Sequence, residues 1–178
     1  MKRENLENFI RDYGKDVYSF CLYATKNKEH ADDLYQQTFL VAIEKDEMDE
    51  NQNPKSYLIS IAANLWNNQK RKYMWRKKKA NVIYFQDENL EQLADEGLTV
   101  EDEAIREDEI ATVKRLVDEL PDKMRIVILM FYMENMSVNE IATALKIPEG
   151  TVKSRIHQAK SRLKERMISY EGQYGYLA

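Results

Sequence analysis

Between residues 80 and 110 the chain carries eleven acidic side chains against one arginine, Arg106, with Gly97 near the middle. Such a stretch repels itself and has too little apolar surface to offset the entropy of ordering it. It reads as a flexible acidic linker, extended or only partly helical, although Val82, Ile83, Tyr84 and Phe85 form a short apolar run able to dock elsewhere. The 178 residues therefore divide into two small modules, 1–80 and 107–168, joined by a linker over 81–106 and followed by a tail over 169–178.

In both modules apolar residues recur at three- and four-residue steps, the period of a helix with one buried face. Leu6, Phe9, Ile10, Tyr13, Val17, Phe20, Cys21 and Ala24 mark one stripe of a long first helix, with Cys21 in the core. A second helix, about 29–45, sets Ala31, Leu34, Tyr35, Thr38 and Ala42 on one face and Phe39, Leu40 and Ile43 on another. Pro54 suits the first turn of a third helix, about 55–77, because its missing N–H lacks a partner there anyway; Leu58, Ile61, Ala62 and Leu65 form its buried stripe.

In the second module Val113, Leu116, Val117 and Leu120 make one stripe, Pro121 interrupts it, and Met124, Val127, Ile128 and Phe131 make another; two short helices follow Met136. All three prolines fall at helix starts, and the 5 glycines are too few for a turn-dense β fold. Only Asn81–Gln86 alternates as a strand does. The expected fold is all-α, two small helical domains.

A net charge of -4 and a pI near 5.4 look unlike a nucleic-acid binder, but the sum conceals opposed segments. Residues 55–79 carry +8 and 148–168 carry +4, whereas 1–54 carry -5 and 80–110 carry -10. Seven of the eleven residues 69–79 are basic, none is acidic, and Tyr73 and Trp75 are interleaved among them. Ser60, Asn64, Asn67, Arg71 and Trp75 share one face of the third helix, with Asn68, Lys72 and Tyr73 beside it. Cations follow a phosphate backbone, amides bond base edges and aromatic faces stack exposed bases, so this mixture suits single-stranded nucleic acid. Core packing is the competing role for Trp66, Tyr73 and Trp75, and a solubilising helix end the competing role for Lys77, Lys78 and Lys79.

Ser137-Val138-Asn139-Glu140 fits a capping box, in which the Ser hydroxyl and the Glu carboxylate each satisfy a backbone N–H at a helix start. Val138, Ile141, Ala142 and Leu145 face inward from that helix, and the small Ala142 permits a close crossing. After the turn Lys146-Ile147-Pro148, Val152, Ile156, Ala159 and Leu163 face inward, which sends Lys153, Ser154, His157, Gln158 and Lys160 outward or to the flanks, with Thr151 near the start. A rigid helix whose early side chains reach base edges, with Lys and Arg around them to neutralise phosphate, is what reading a major groove requires. Arg155, Arg162, Lys164 and Arg166 extend that footprint.

One cysteine forms no intramolecular disulfide, and with only His30 and His157 beside it a metal site is short of ligands, so no cofactor is expected. The N-terminus is acidic and amphipathic, and no apolar run approaches the roughly 18 residues of a membrane span. A cytoplasmic protein that does not insert into membranes is the expectation.

At this point the sequence resembles the extracytoplasmic-function sigma factors, the small two-domain class of the bacterial sigma-70 family. The resemblance covers residues from about 8 to 168 and is strongest from Ser137 to Lys164, above all in Gly150-Thr151-Val152-Lys153-Ser154-Arg155, which is similar to the family's minus-35 helix-turn-helix. It implies minus-35 contacts from Thr151, Lys153, Ser154, Arg155, His157, Gln158 and Lys160. Ala31 to Phe39 is similar to the helix that grips the clamp helices of RNA polymerase, which implies core contacts from Asp32, Asp33, Gln36, Gln37, Phe39 and Leu40. Tyr57-Leu58, Ile61-Ala62 and Asn64-Leu65, followed by the basic run, resemble the segment that opens the minus-10 element and captures unstacked bases; Ser60, Asn64, Asn67, Asn68, Arg71, Lys72 and Trp75 are the residues implied. Partners implied are core RNA polymerase (clamp helices and flap), promoter DNA and an anti-sigma factor, with the linker threaded through basic channels of polymerase or shielding the basic modules before assembly. Tyr57 stands where the family commonly has Trp, and Lys146 where Gly is common, so Lys146 must accept an unusual backbone angle.

Two rival readings differ in class. A polymerase-independent helix-turn-helix regulator does not account for a helix apolar on two sides or for the aromatic-basic helix. A nucleic-acid enzyme using Asp32 and Asp33 with a metal meets the difficulty that adjacent helix positions point about 100° apart.

Overall fold

The computed structural model describes residues 3–45, 53–80 and 106–174. Most of the acidic linker, with its apolar run Val82–Phe85 and the strand-like Asn81–Gln86, lies outside the described residues. The chain divides into two compact units, one within residues 1–97 and one within 98–178. Among the described residues every element is helical, and no helix is long and apolar enough to cross a membrane.

In the first unit α1 (Arg3–Thr25), α2 (Lys28–Lys45) and α3 (Pro54–Ala80) each pack against the other two. Lys26, at φ 58°, ends α1, and the Asn27 side chain accepts from the His30 backbone N–H at 2.9 Å to cap α2. Asn53 caps α3 in the same way, accepting from Lys55 at 2.9 Å and Ser56 at 3.3 Å, with Pro54 in the first turn as expected. Val17, Phe20, Cys21, Ala24, Leu34 and Leu58 fill the core. Thr38, buried on α2, satisfies its hydroxyl by donating to the Leu34 carbonyl at 2.7 Å.

Two features depart from the single-stripe expectation. Ile59, Ala63 and Trp66 are buried along with Leu58, Ile61 and Ala62, while Leu65 is only half-buried, because α3 faces two helices and needs a wider apolar arc than one stripe. Ile10, placed in the stripe of α1, is 41% exposed.

In the second unit α4 (Arg106–Asp118), α5 (Asp122–Ile128) and α6 (Val138–Leu145) all pack against α7 (Glu149–Tyr174). Arg125 through Met130 are buried without a break, so α5 is enclosed on all sides beyond its first turn, where Lys123 is exposed; the Arg125 guanidinium, 1% exposed, donates to the Leu120 carbonyl at 2.8 Å and pairs with Asp122. Beyond Ile128 the helix widens into a π turn, Leu129–Met133, marked by the bond from the Glu134 N–H back to the Leu129 carbonyl at 3.2 Å. The last helix is not short: α7 runs on through 174, past 168, where the second module was expected to end.

Candidate nucleic-acid interface

The helix-turn-helix is built by local chemistry. The Ser137 backbone N–H donates to Glu140 Oε2 at 2.7 Å and the Glu140 N–H donates to Ser137 Oγ at 3.2 Å, a complete capping box. Lys146 ends α6 at φ 54°, ψ 47°, so the unusual backbone angle expected of it is the left-handed one. Behind it the Ile147 N–H returns to the Ala142 carbonyl at 3.1 Å, which closes the end of α6. The Pro148 carbonyl then accepts from Thr151 at 2.9 Å and Val152 at 3.2 Å and starts α7. A further tie joins the two helices: the Asn139 amide donates to Glu149 at 3.0 Å, and Lys153 lies 3.9 Å from the same carboxylate.

Val152, Ile156 and Ala159 are buried, which fixes the rotation of α7 about its axis. Lys153, Ser154, His157, Gln158 and Lys160 are consequently exposed, and Thr151 and Arg155 half-exposed. Gln158 donates to Ser154 Oγ at 2.9 Å, one turn apart on the outward face. The Lys160 ammonium lies over the Tyr132 ring, 5.3 Å from its centroid. Nothing in the sequence pairs Tyr132 with Lys160 or Asn139 with Glu149, because both contacts arise from packing between elements.

On α3 the packing separates the aromatics. Trp66 is 6% exposed, with Lys70 5.2 Å above its ring and His30 6.1 Å away, whereas Tyr73 is 55% and Trp75 62% exposed. Of the two roles open to each aromatic, Trp66 takes the core and the other two reach solvent. Asn68, Arg71 and Lys72 are exposed beside them. Ser60, Asn64 and Asn67 are half-buried further up the helix, where Ser60 Oγ donates to the Ser56 carbonyl at 2.6 Å and the Asn64 amide to the Ser60 carbonyl at 2.9 Å. The helix thus offers amides at its middle and exposed rings among cations toward its end, groups whose chemistry suits an unpaired strand.

A third surface runs along α2. Asp33, Gln36, Gln37 and Leu40 are exposed, Leu40 at 58%. Phe39, named with them, is buried instead and meets Tyr35 edge-on at 5.0 Å, so it shapes this surface from beneath. Gln69 on α3 donates to Gln37 at 2.9 Å. Asp32 accepts from the Tyr18 hydroxyl at 2.8 Å; that bond holds the phenol above its ordinary pKa, and burial does the same for Tyr35. Tyr18, Tyr35 and Gly14 line a notch between α1 and α2 that Asp32 and Gln36 complete, and the sequence reading missed it.

Residues 9–76 match the family described as Sigma-70 region 2, and residues 110–163 the one described as Sigma-70, region 4. The ECF RNA polymerase sigma factor SigW of Bacillus subtilis is 34% identical over 171 residues, a match covering 89% of this chain and 87% of that one. SigM of the same organism is 27% identical, with 89% and 93% covered. In fold the chain is similar to the sigma factor RpoE from Bartonella quintana, solved with the anti-sigma factor NepR (TM-score 0.67, 20% identity, 91% of this chain and 96% of that one). It is also similar to CnrH, solved with the cytosolic domain of CnrY (TM-score 0.62, 18% identity, 94% and 90% covered).

Proposed function

The chain belongs to the ECF RNA polymerase sigma factors, and from that footing we propose that it binds core RNA polymerase and directs initiation at its own set of promoters. In this reading residues 1–80 hold polymerase through Asp32, Asp33, Gln36, Gln37 and Leu40 and capture the opened minus-10 strand along α3. The acidic segment 81–106 joins the modules, and residues 107–168 place the first turns of α7 in the minus-35 major groove. Polymerase supplies the chemistry, so no residue here is assigned a catalytic role, and the protein acts in the cytoplasm where core polymerase is.

The observation that carries the reading is the presence, in one chain, of two exposed basic surfaces of different chemistry. A basic helix, α7, whose rotation is fixed by the buried Val152, Ile156 and Ala159 suits duplex, and a helix with exposed rings among cations suits unpaired bases. One chain of similar fold, RpoE, was solved with the anti-sigma factor NepR, which supports an inhibitor of that kind for this protein.

Run-off transcription with core polymerase on a library of promoter fragments tests the reading. Defined start sites that depend on the added protein are the expected outcome. Folded protein that binds core yet starts transcription nowhere overturns it.

A further inference from the structure

Lys153, His157 and Lys160 stand at positions i, i+4 and i+7 of α7, in line along one exposed face, so the two lysines are about 10 Å apart along the axis. Lys153 lies in the first turns, where a groove-reading helix meets base edges, and Lys160 further back, toward the flanking phosphates. A lysine there is a flexible point charge that loses rotamer freedom when it meets a phosphate.

In this protein part of that freedom is already surrendered. The Lys160 ammonium rests over the Tyr132 ring, 5.3 Å from the centroid. The ring is itself braced, meeting the half-buried Phe131 edge-on at 5.0 Å and 82°. Both aromatics belong to the π turn Leu129–Met133, immediately after the fully buried Met130. Tyr132 is nonetheless 52% exposed, so the wide turn presents a large ring at the surface beside α7. A ring face attracts the cation from one side only and leaves ammonium donors open to an anion on the other.

We infer that Tyr132 is a positioning residue for duplex DNA: its ring holds Lys160 in place along the outward face of α7, ready to meet a backbone phosphate. The inference rests on the reading of α7 as the duplex-binding helix and adds to it a residue from outside the helix-turn-helix. It concerns affinity, not base preference, because a phosphate contact carries no sequence information.

The test is a fluorescence-anisotropy titration of the full chain with a labelled mixed-sequence DNA duplex over a series of salt concentrations. Thermal melts by circular dichroism identify variants that keep the wild-type fold, and Tyr132→Gln stands in should Tyr132→Leu melt early. Lys160→Ala weakens binding and lowers the salt slope by about 0.9. Tyr132→Leu weakens binding roughly two- to five-fold, Tyr132→Phe binds as wild type, and Tyr132→Leu adds nothing on top of Lys160→Ala. Wild-type binding by Tyr132→Leu while Lys160→Ala is impaired overturns the inference alone. An equal loss in Tyr132→Phe does so too, since the hydroxyl and not the ring face is then responsible. If Lys153→Ala and Lys160→Ala both bind as wild type, the reading of α7 fails and the inference with it.

Discussion

Lys146 accepts φ 54° and ψ 47° to end α6, a conformation that crowds the Cβ of any L side chain. The tight turn into α7 depends on it, and glycine reaches it without that strain at the cost of a more disordered unfolded chain. Lys146→Gly should therefore raise the urea midpoint of the second unit, read by far-UV circular dichroism, by the equivalent of up to about 1 kcal/mol. A fall in the midpoint would show that the exposed lysine contributes more than its backbone costs. Cys21, fully buried among helices, has its thiol pushed from an ordinary 9.0 up to about 12 by desolvation of the thiolate. Below pH 9 the thiol is protonated both folded and unfolded, and its contribution is constant. Between pH 9 and 12 only the unfolded chain ionises, so stability drops by as much as about 1.4 kcal/mol per pH unit from this group. Both tryptophans lie on α3 and report the first unit, so tryptophan-monitored urea unfolding across that range, compared with Cys21→Ala, isolates the effect. Equal pH slopes in the two proteins would rule it out.

At the scale of elements, α2 comes close to α1 at Gly14. A Cβ there would lie 2.8 Å from the Tyr35 hydroxyl, with the next atoms at 3.6 and 4.0 Å. The Tyr35 ring cannot simply swing away, since Tyr18 meets it edge-on at 5.6 Å and Phe39 at 5.0 Å. Gly14→Ala should then lower stability by about 1 kcal/mol through overpacking, despite the better helix propensity of alanine. Combined with Tyr35→Phe, which removes the obstructing oxygen, it should recover that loss; unfolding curves of the two single variants and the double variant make the comparison, and simple additivity would count against it. This contact was invisible in the sequence, as were the Tyr18–Asp32 and Asn139–Glu149 bonds, because each joins elements whose approach is decided by packing. Local chemistry was legible: the capping box at Ser137, the unusual backbone at Lys146 and the proline helix starts all follow from neighbouring residues. The breadth of the buried arc on α3 was not, since periodicity reveals that a face is buried but not that two helices cover it. Nor was the π turn, because Phe131 continues the apolar spacing of α5 while the backbone widens beneath it.

Across the whole molecule, a net charge of -4 is the sum of two basic helices and acidic sequence elsewhere, with the largest deficit in residues 80–110. The two basic surfaces differ in kind, and that difference predicts separable defects. On α7, Lys153 and Ser154 are exposed on a helix whose rotation is fixed by Val152, Ile156 and Ala159. Replacing both by alanine should cost about 1 to 3 kcal/mol of minus-35 duplex affinity without touching the core. On α3, the Asn64 amide donates to the carbonyl of Ser60 within its own helix. In the proposed reading Asn64→Ala removes a base-edge partner on α3 and leaves α7 untouched, so duplex affinity should stay within about two-fold of wild type. Open-complex formation, followed by permanganate reactivity of unpaired thymines on a promoter mapped by run-off transcription, should fall in Asn64→Ala even at protein concentrations that saturate the duplex. In the Lys153→Ala, Ser154→Ala variant the same signal should return as concentration is raised, because only the closed-complex step is weakened. If raising the concentration rescues both proteins alike, or neither, the two surfaces do not divide the work between duplex and unpaired strand.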